Sequence, residues 1–307
     1  MYYTGIGDEA GPRLEKQLAA LKALGWNQLE ARMVELEDVP KANIHDLPDA
    51  AFDRVVGMLG EAGVKVCCFG SAIANWGKKI EEPFDSSLAE ARRAIPRMKR
   101  LGTPFVRIMS FAVSPGEDQR APERFRRLRE LVGMFRDEGL QPLHENCMNY
   151  GGMGWNYTLE LLNEVPGLKL VFDTGNPIFN DDRSKPAPYH KQDAWEFYTK
   201  VKDHVLHVHV KDALWNSVKN DADYTMPGDG NGHVRQILAD LMERNYQGGL
   251  SIEPHLAAVF HDAKVQASDE QMFGSFVEYG RRLMLLVDDI YRARHVPAAL
   301  AQSPLIA

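Results

Sequence analysis

The sequence predicts a single (β/α)8 TIM barrel. Three observations carry this expectation. Short apolar runs alternate with stretches of helical spacing eight times along 307 residues, a length normal for one such barrel. The apolar runs are continuous rather than alternating, as in parallel strands buried on both faces. No composition shift or linker divides the chain, so residues 1–307 read as one domain, and the first loop lacks the GxGxxG of a dinucleotide-binding sheet.

The elements follow in order. YTGIGDEA supplies a first strand. In LEKQLAALKAL, Leu14, Leu18, Leu21 and Leu24 form one helix face, with Gly25 as C-cap. NQLEARMV is strand-like, AAFDRVVGMLGEA helical up to Gly63, and VKVCCFG a buried strand. SLAEARRAIPRMKRLG is a helix in which Pro96 predicts a kink. PFVRIMSF, ERFRRLRELVGMFRDEG and LQPLHEN give strand, helix and strand. YTLELLNEV with LKLVFDTGN, AWEFYTKV with HVLHVHVKDA, and VRQILADLMERN with GGLSIEPH give three more helix–strand pairs. A long helix over about 269–294, opened by a capping box of Ser268 and Gln271, precedes a short tail.

Composition excludes several functions. The formal net charge is −7, which disfavours a nucleic-acid partner, since phosphate binding needs concentrated Lys and Arg. No apolar run approaches the ~18 residues of a membrane span, and the N-terminus carries no signal-peptide pattern. Three cysteines without a CxxC give no disulfide framework, so a reducing, cytoplasmic location is expected, with Cys67 and Cys68 as plain core.

In a barrel of this kind the chemistry sits where the strands end. Asp8 and Glu9 end the first strand, and Glu30 and Arg32 lie in the second. Trp76 follows the third, and Arg107 lies in the fourth. His144, Glu145 and Asn146 end the fifth, and Asp173 and Asn176 the sixth. His207, His209 and Lys211 mark the seventh, and Glu253 and His255 the eighth. Strands five to eight are neighbours, so Glu145, Asp173, His209 and Glu253 are expected to converge on one divalent ion. This hard, mostly oxygen set suits Mn²⁺ first, Mg²⁺ or Co²⁺ also, and Zn²⁺ less. A single acidic residue after a strand is more often a turn former; three carboxylates and a histidine on four consecutive strands are not so explained. His207 shares a face with His209 but lies deeper, as a core histidine. Lys211 either orients a substrate oxygen or is a surface lysine. His144 and His255 are either an extra acid or base or polar support.

From GDEAGPRLEKQLAALKALGWNQLEAR through HEN, FDTGNP and HVHVKDA to PGDGNGHV and SIEPH, the chain resembles the sugar phosphate isomerase/epimerase superfamily, the xylose isomerase-like TIM barrels. In the ketose 3-epimerases of that superfamily a glutamate, an aspartate, a histidine and a glutamate hold one divalent ion. The resemblance assigns these roles to Glu145, Asp173, His209 and Glu253. It also makes Glu145 and Glu253 the pair that exchanges protons with a substrate carbon. From their places at the strand ends, Lys211, Asn176, His255, Arg107 and Trp76 are expected as substrate contacts. The chain departs from those epimerases at Asn176, where they carry histidine, and at Trp215, near which they carry arginine. The implied activity is a metal-dependent sugar isomerase or epimerase working through an enediolate. The alternative is a lyase of the same superfamily, in particular the large subunit of a C-glycoside deglycosidase. The expected partners are a small sugar or glycoside and further subunits, with a small second subunit in the lyase case. A nuclease of the same fold needs histidines after the third and fourth strands, which CCFGSAI and VRIMSFAV do not supply. A non-catalytic sugar-binding barrel is disfavoured by the intact ligand set.

Overall fold

Apolar runs and helical patterns become strands and helices in order in the computed structural model, which describes residues 1–257 and 267–295. β1 (Tyr2–Gly5) leads through α1 (Leu14–Leu24) to β2 (Gln28–Ala31). A hairpin of β3 (Met33–Leu36) and β4 (Val39–Asn43) follows, then α2 (Asp49–Ala62) and β5 (Lys65–Gly70). α3 (Asp85–Leu101), β6 (Phe105–Ile108), α4 (Ala121–Asp137), β7 (Gln141–Glu145), α5 (Trp155–Glu164) and β8 (Lys169–Asp173) continue the alternation. A short α6 (Asn176–Phe179) and α7 (Ala194–Val201) precede β9 (Val205–Val210). A second hairpin, β10 (Ala213–Asn216) and β11 (Asp221–Tyr224), leads to α8 (Val234–Glu243), β12 (Gly249–Ile252) and α9 (Asp269–His295).

Eight strands form one parallel sheet in the order β1-β12-β9-β8-β7-β6-β5-β2. A parallel bridge between Ile6 and Glu30 brings β2 back to β1 and closes the barrel. Side-chain alternation then sorts each strand. Val106, Ile108, Leu170, Phe172, Val208, Val210, Leu250 and Ile252 pack into the apolar layer beneath the helices. Their strand neighbours Arg107, Val171, His207, His209 and Ser251 are equally buried but point into the barrel. The interior is therefore polar toward the end where the strands finish.

Local signals are satisfied where the sequence placed them. Gly25 and Gly63 end their helices at φ 70° and 65°, a region that costs a residue with a Cβ but not glycine. Ser268 N donates to Gln271 Oε1 at 2.8 Å and Gln271 N to Ser268 Oγ at 3.3 Å, the reciprocal pair of a capping box. α3 runs through Pro96 as one helix, with the proline on its exposed side, where the lost backbone bond faces water. The tail after α9 falls on residues 296–307, outside the described residues. The three cysteines are buried and free. Among the described residues, no helix is long and apolar enough to cross a membrane.

Candidate metal centre

β7, β8, β9 and β12 stand side by side, and each delivers one polar side chain at or just past its C-terminal end. Glu145 closes β7, Asp173 closes β8 and lies in register with His209 of β9, and Glu253 follows β12. One ligand atom from each of the four lies within 4.8 Å of the others, and all four residues are buried. His209 Nδ1 is 3.5 Å from Glu145 Oε1, 3.8 Å from Asp173 Oδ2 and 4.0 Å from Glu253 Oε2.

The protonation geometry of His209 tests whether this cluster fits a cation. Its Nε2 lies 3.0 and 3.1 Å from the two carboxylate oxygens of Glu30 and donates to them, because an ionised carboxylate only accepts. Nδ1 makes no hydrogen bond. In a neutral imidazole that atom is a lone pair, and here it faces three carboxylates. Acceptor facing acceptors is stable only with a proton or a metal ion between them. The charge balance points the same way. Asp8, Glu9, Glu30, Glu145, Asp173 and Glu253 are all buried around the barrel mouth, against the fixed cations Arg32, Arg107 and Lys211. Buried carboxylates in such excess require further positive charge. The hard oxygen-rich set with one imidazole suits a divalent ion.

Each carboxylate of the cluster meets at least one cation, and Glu253 meets two. Arg107 Nη1 is 3.0 Å from Glu145 Oε2, and Arg32 Nη1 is 2.8 Å from Glu253 Oε1. Lys211 Nζ bridges Asp173 Oδ2 at 3.0 Å and Glu253 Oε2 at 2.8 Å. Burial opposes charge on Glu145, but Arg107 and His209 outweigh it and hold the carboxyl down at about 2. Burial is likewise overcome at Glu253, where Lys211, His255 and Arg32 hold the group well below the usual carboxylate range. At Asp173 burial prevails over Lys211, and the pKa is pushed up to about 6. Without a metal, His209 is pushed up to about 10: burial opposes its charge, but Glu30 and Glu145 prevail.

A cleft of about 270 Å³ opens above the cluster. It is lined by all five residues expected to contact substrate: Lys211, Asn176, His255, Arg107 and Trp76. Asn176 Nδ2 donates to Glu145 Oε1 at 3.1 Å, so it holds that carboxylate rather than standing apart from it. His255 Nδ1 is 2.9 Å from Glu9 Oε1, and Trp76 remains 40% exposed at the mouth. Lys211 is buried, not a surface lysine. Trp215 lies beneath Lys191 Nζ, 4.2 Å from the ring centroid.

His144 requires a correction. Strand alternation that turns Glu145 inward turns His144 toward the helix layer. There its Nε2 meets Ser110 Oγ and Asn149 Oδ1, each at 3.0 Å, and the ring does not line the cleft. Burial drops its pKa to about 4, so it is a neutral packing group. His207 is the core histidine expected, with Nε2 2.8 Å from Glu30 Oε2. Sequence reasoning noted Glu30 and Arg32 without giving them a part. A glutamate between Leu29 and Ala31, inside a buried strand, was the available signal, since a charge there needs partners across the barrel.

The model of the family "Xylose isomerase-like TIM barrel" matches residues 18–272. The chain belongs to the xylose isomerase-like TIM-barrel family. A search of curated protein sequences gives no match. Solved structures of similar fold include a xylose isomerase-like TIM barrel protein from Mycobacterium smegmatis in complex with magnesium. That structure has 18% identity and a TM-score of 0.65, and the match covers 90% of this chain and 88% of that one. The 3-keto-D-glucoside 4-epimerase YcjR from E. coli matches at 15% identity and TM-score 0.62, over 93% and 99% of the two chains. The probable 3-DHS dehydratase AsbF from Bacillus anthracis matches at 13% identity and TM-score 0.63, over 90% and 97%. At these identities the likeness is one of fold, and the chemistry of this xylose isomerase-like barrel is argued from its own site.

Proposed function

We propose that the protein is a divalent-metal-dependent sugar isomerase or epimerase that removes a proton from a carbon next to a carbonyl. One observation carries this reading. Glu145 and Glu253 both line the cleft, whereas Asp173 and His209 do not. The two glutamates come from β7 and β12, the outer members of a row of four adjacent strands, so they approach a bound substrate from two sides. A divalent ion held by Glu145, Asp173, His209 and Glu253, Mn²⁺ foremost, would supply Lewis-acid stabilisation of negative charge on a substrate oxygen.

The chain's own groups do the rest. Each glutamate is held at both oxygens, Glu145 by Arg107 and Asn176 and Glu253 by Arg32 and Lys211, and the oxygen on Asn176 or Lys211 is the one that also faces His209 Nδ1. Both are ionised across the physiological range by the pairings above, so either can take a proton from a substrate carbon. Lys211 and Arg107 place positive charge beside an enediolate oxygen as it develops. Asn176 keeps Glu145 from rotating. The first glutamate keeps the proton it takes; delivery of a different proton to the opposite face by the second glutamate, which must first take one from solvent, inverts the carbon, and return of the abstracted proton to the adjacent carbon isomerises the sugar. Neighbours of this fold described as a 3-keto-D-glucoside 4-epimerase and a D-tagatose 3-epimerase-like protein support a carbonyl sugar as substrate.

The test is solvent deuterium incorporation, followed by proton NMR, into a panel of ketoses and oxo-glycosides with the Mn²⁺-loaded protein. Exchange at one carbon next to the carbonyl, abolished by chelation and by Glu253→Gln, is the expected result. A panel with no exchange at any carbon, while the protein is metal-loaded and folded, would sink the reading.

A further inference from the structure

Beyond Trp76 the cleft continues into a second cavity of about 400 Å³. The two share one wall, made of Trp76, Cys147, Met148 and Phe179. That wall holds two aromatic rings and two sulfur side chains, and no charged group. Met109 adds to the lining of the first cavity and Met153 to that of the second. The second cavity also has polar lining: Asn149, Asn180, Asp181 and Arg183, with Asp181 taking Lys191 at 2.8 Å and the Arg183 guanidinium 5.5 Å from the centre of the Tyr189 ring. Together the two cavities reach the range of about 300–1,000 Å³ that holds a ligand well beyond a single small ring.

A polar ring laid on the shared wall of this annex would be poorly served. Each sugar hydroxyl set against methionine sulfur or an indole face loses its water partner without gaining a donor or acceptor of equal strength. A flat apolar ring gains instead, through burial, ring stacking and sulfur–aromatic contacts. We propose that the annex is a substrate subsite for such a ring, and that the substrate is a sugar carrying an aromatic substituent, its reacting carbons over Glu145 and Glu253. This rests on the sugar reading of the metal centre given above.

Calorimetric titration of the Mn²⁺-loaded protein tests it, using the methyl and phenyl glucosides in both anomeric forms, cellobiose as a two-sugar probe, and phenol alone. The phenyl glucoside of one anomer is expected to bind about tenfold or more tightly than its methyl counterpart and than cellobiose, as burial of one aromatic ring predicts. Phe179→Ala and Met148→Ala should each remove most of that gap, weakening phenyl glucoside binding more than methyl glucoside binding. Glycosides that bind with no preference for phenyl, or cellobiose that binds as well as the phenyl compound, would overturn the aromatic subsite. Phenol binding that depends on Phe179, with no glycoside bound at all, would overturn the sugar reading and the proposed substrate with it.

Discussion

Glu30 and His209 are joined through Nε2, at 3.0 and 3.1 Å, across the barrel interior, so the Nδ1 of His209 is the nitrogen turned toward Glu145, Asp173 and Glu253. A second carboxylate behind a ligating imidazole fixes its tautomer and raises its basicity. In the proposed metal centre Glu30 is therefore a positioning residue, although it lies on β2, outside the four strands that supply the cluster. Glu30→Gln keeps the shape and removes the charge. Divalent-ion affinity should fall by about 10–100-fold, the usual cost of such a change. Titration calorimetry with Mn²⁺ checks it, and an unaltered affinity would mean that the Glu30 contact is only structural packing.

Glu145→Gln and Glu253→Gln should each lower the rate of solvent deuterium exchange by at least ~10²-fold, the lower end for a general base. His144→Ala should leave exchange nearly intact, because its imidazole points to Ser110 and Asn149 rather than into the cleft. The opposite pattern, with exchange retained in both glutamine variants that still hold metal and lost in His144→Ala, would make the imidazole the base.

Metal uptake should release a proton. His209, pushed up to about 10 in the metal-free molecule by Glu30 and Glu145 against the opposing effect of burial, is an imidazolium at neutral pH. A ligand nitrogen must be neutral, so binding displaces that proton and affinity rises with pH. The sign follows from a raised pKa: binding strengthens as pH climbs toward it and weakens as pH falls. Apparent Mn²⁺ affinity should gain about tenfold per unit between about pH 7 and 9. Below the value of about 6 to which burial lifts Asp173, it should fall more steeply, as a second ligand protonates. Calorimetry in buffers of different ionisation enthalpy measures the released proton. Affinity that is flat with pH contradicts this.

Asp212 shows how PGDGNG is held. Its carboxylate accepts backbone N–H groups from Ala213, Gly228, Gly230 and Gly232 at 2.8–3.0 Å. A Cβ on Gly230 would lie 2.3 Å from Asp212 Oδ1, so glycine there permits the approach. Asp212→Ala strands several buried donors and should cost about 2–4 kcal/mol in urea unfolding, with disturbance of the neighbouring Lys211. A stability unchanged from the parent would show that water replaces the carboxylate without loss.

Much of this was legible in the sequence, because strand and helix periods are local. VKVCCFG, HVLHVHVKDA and the Leu14 helix each announce their own state, and eight of them in alternation leave few topologies. The gathering of Glu145, Asp173, His209 and Glu253 was legible for the same reason: adjacent parallel strands end at one level. The hairpins β3–β4 and β10–β11 were missed because Met33–Leu36 reads as the tail of β2, and Asp221–Tyr224 is too short and polar to signal a strand. The partnership of Glu30 with His209 spans the barrel between residues 179 positions apart, so no local pattern carries it. His144 is different, since the alternation that separates Val208 from His209 separates His144 from Glu145 and could have been applied.

The central claim is that four side chains hold one ion. A crystal grown with Mn²⁺, with anomalous diffraction collected above the manganese edge, measures this directly. One strong peak is predicted, within about 2.0–2.6 Å of His209 Nδ1 and of one carboxylate oxygen from each of Glu145, Asp173 and Glu253. A peak only at another cluster, such as His45, Asp46 and Glu90, or Lys211 still lodged between Asp173 and Glu253 with no peak beside them, would contradict it.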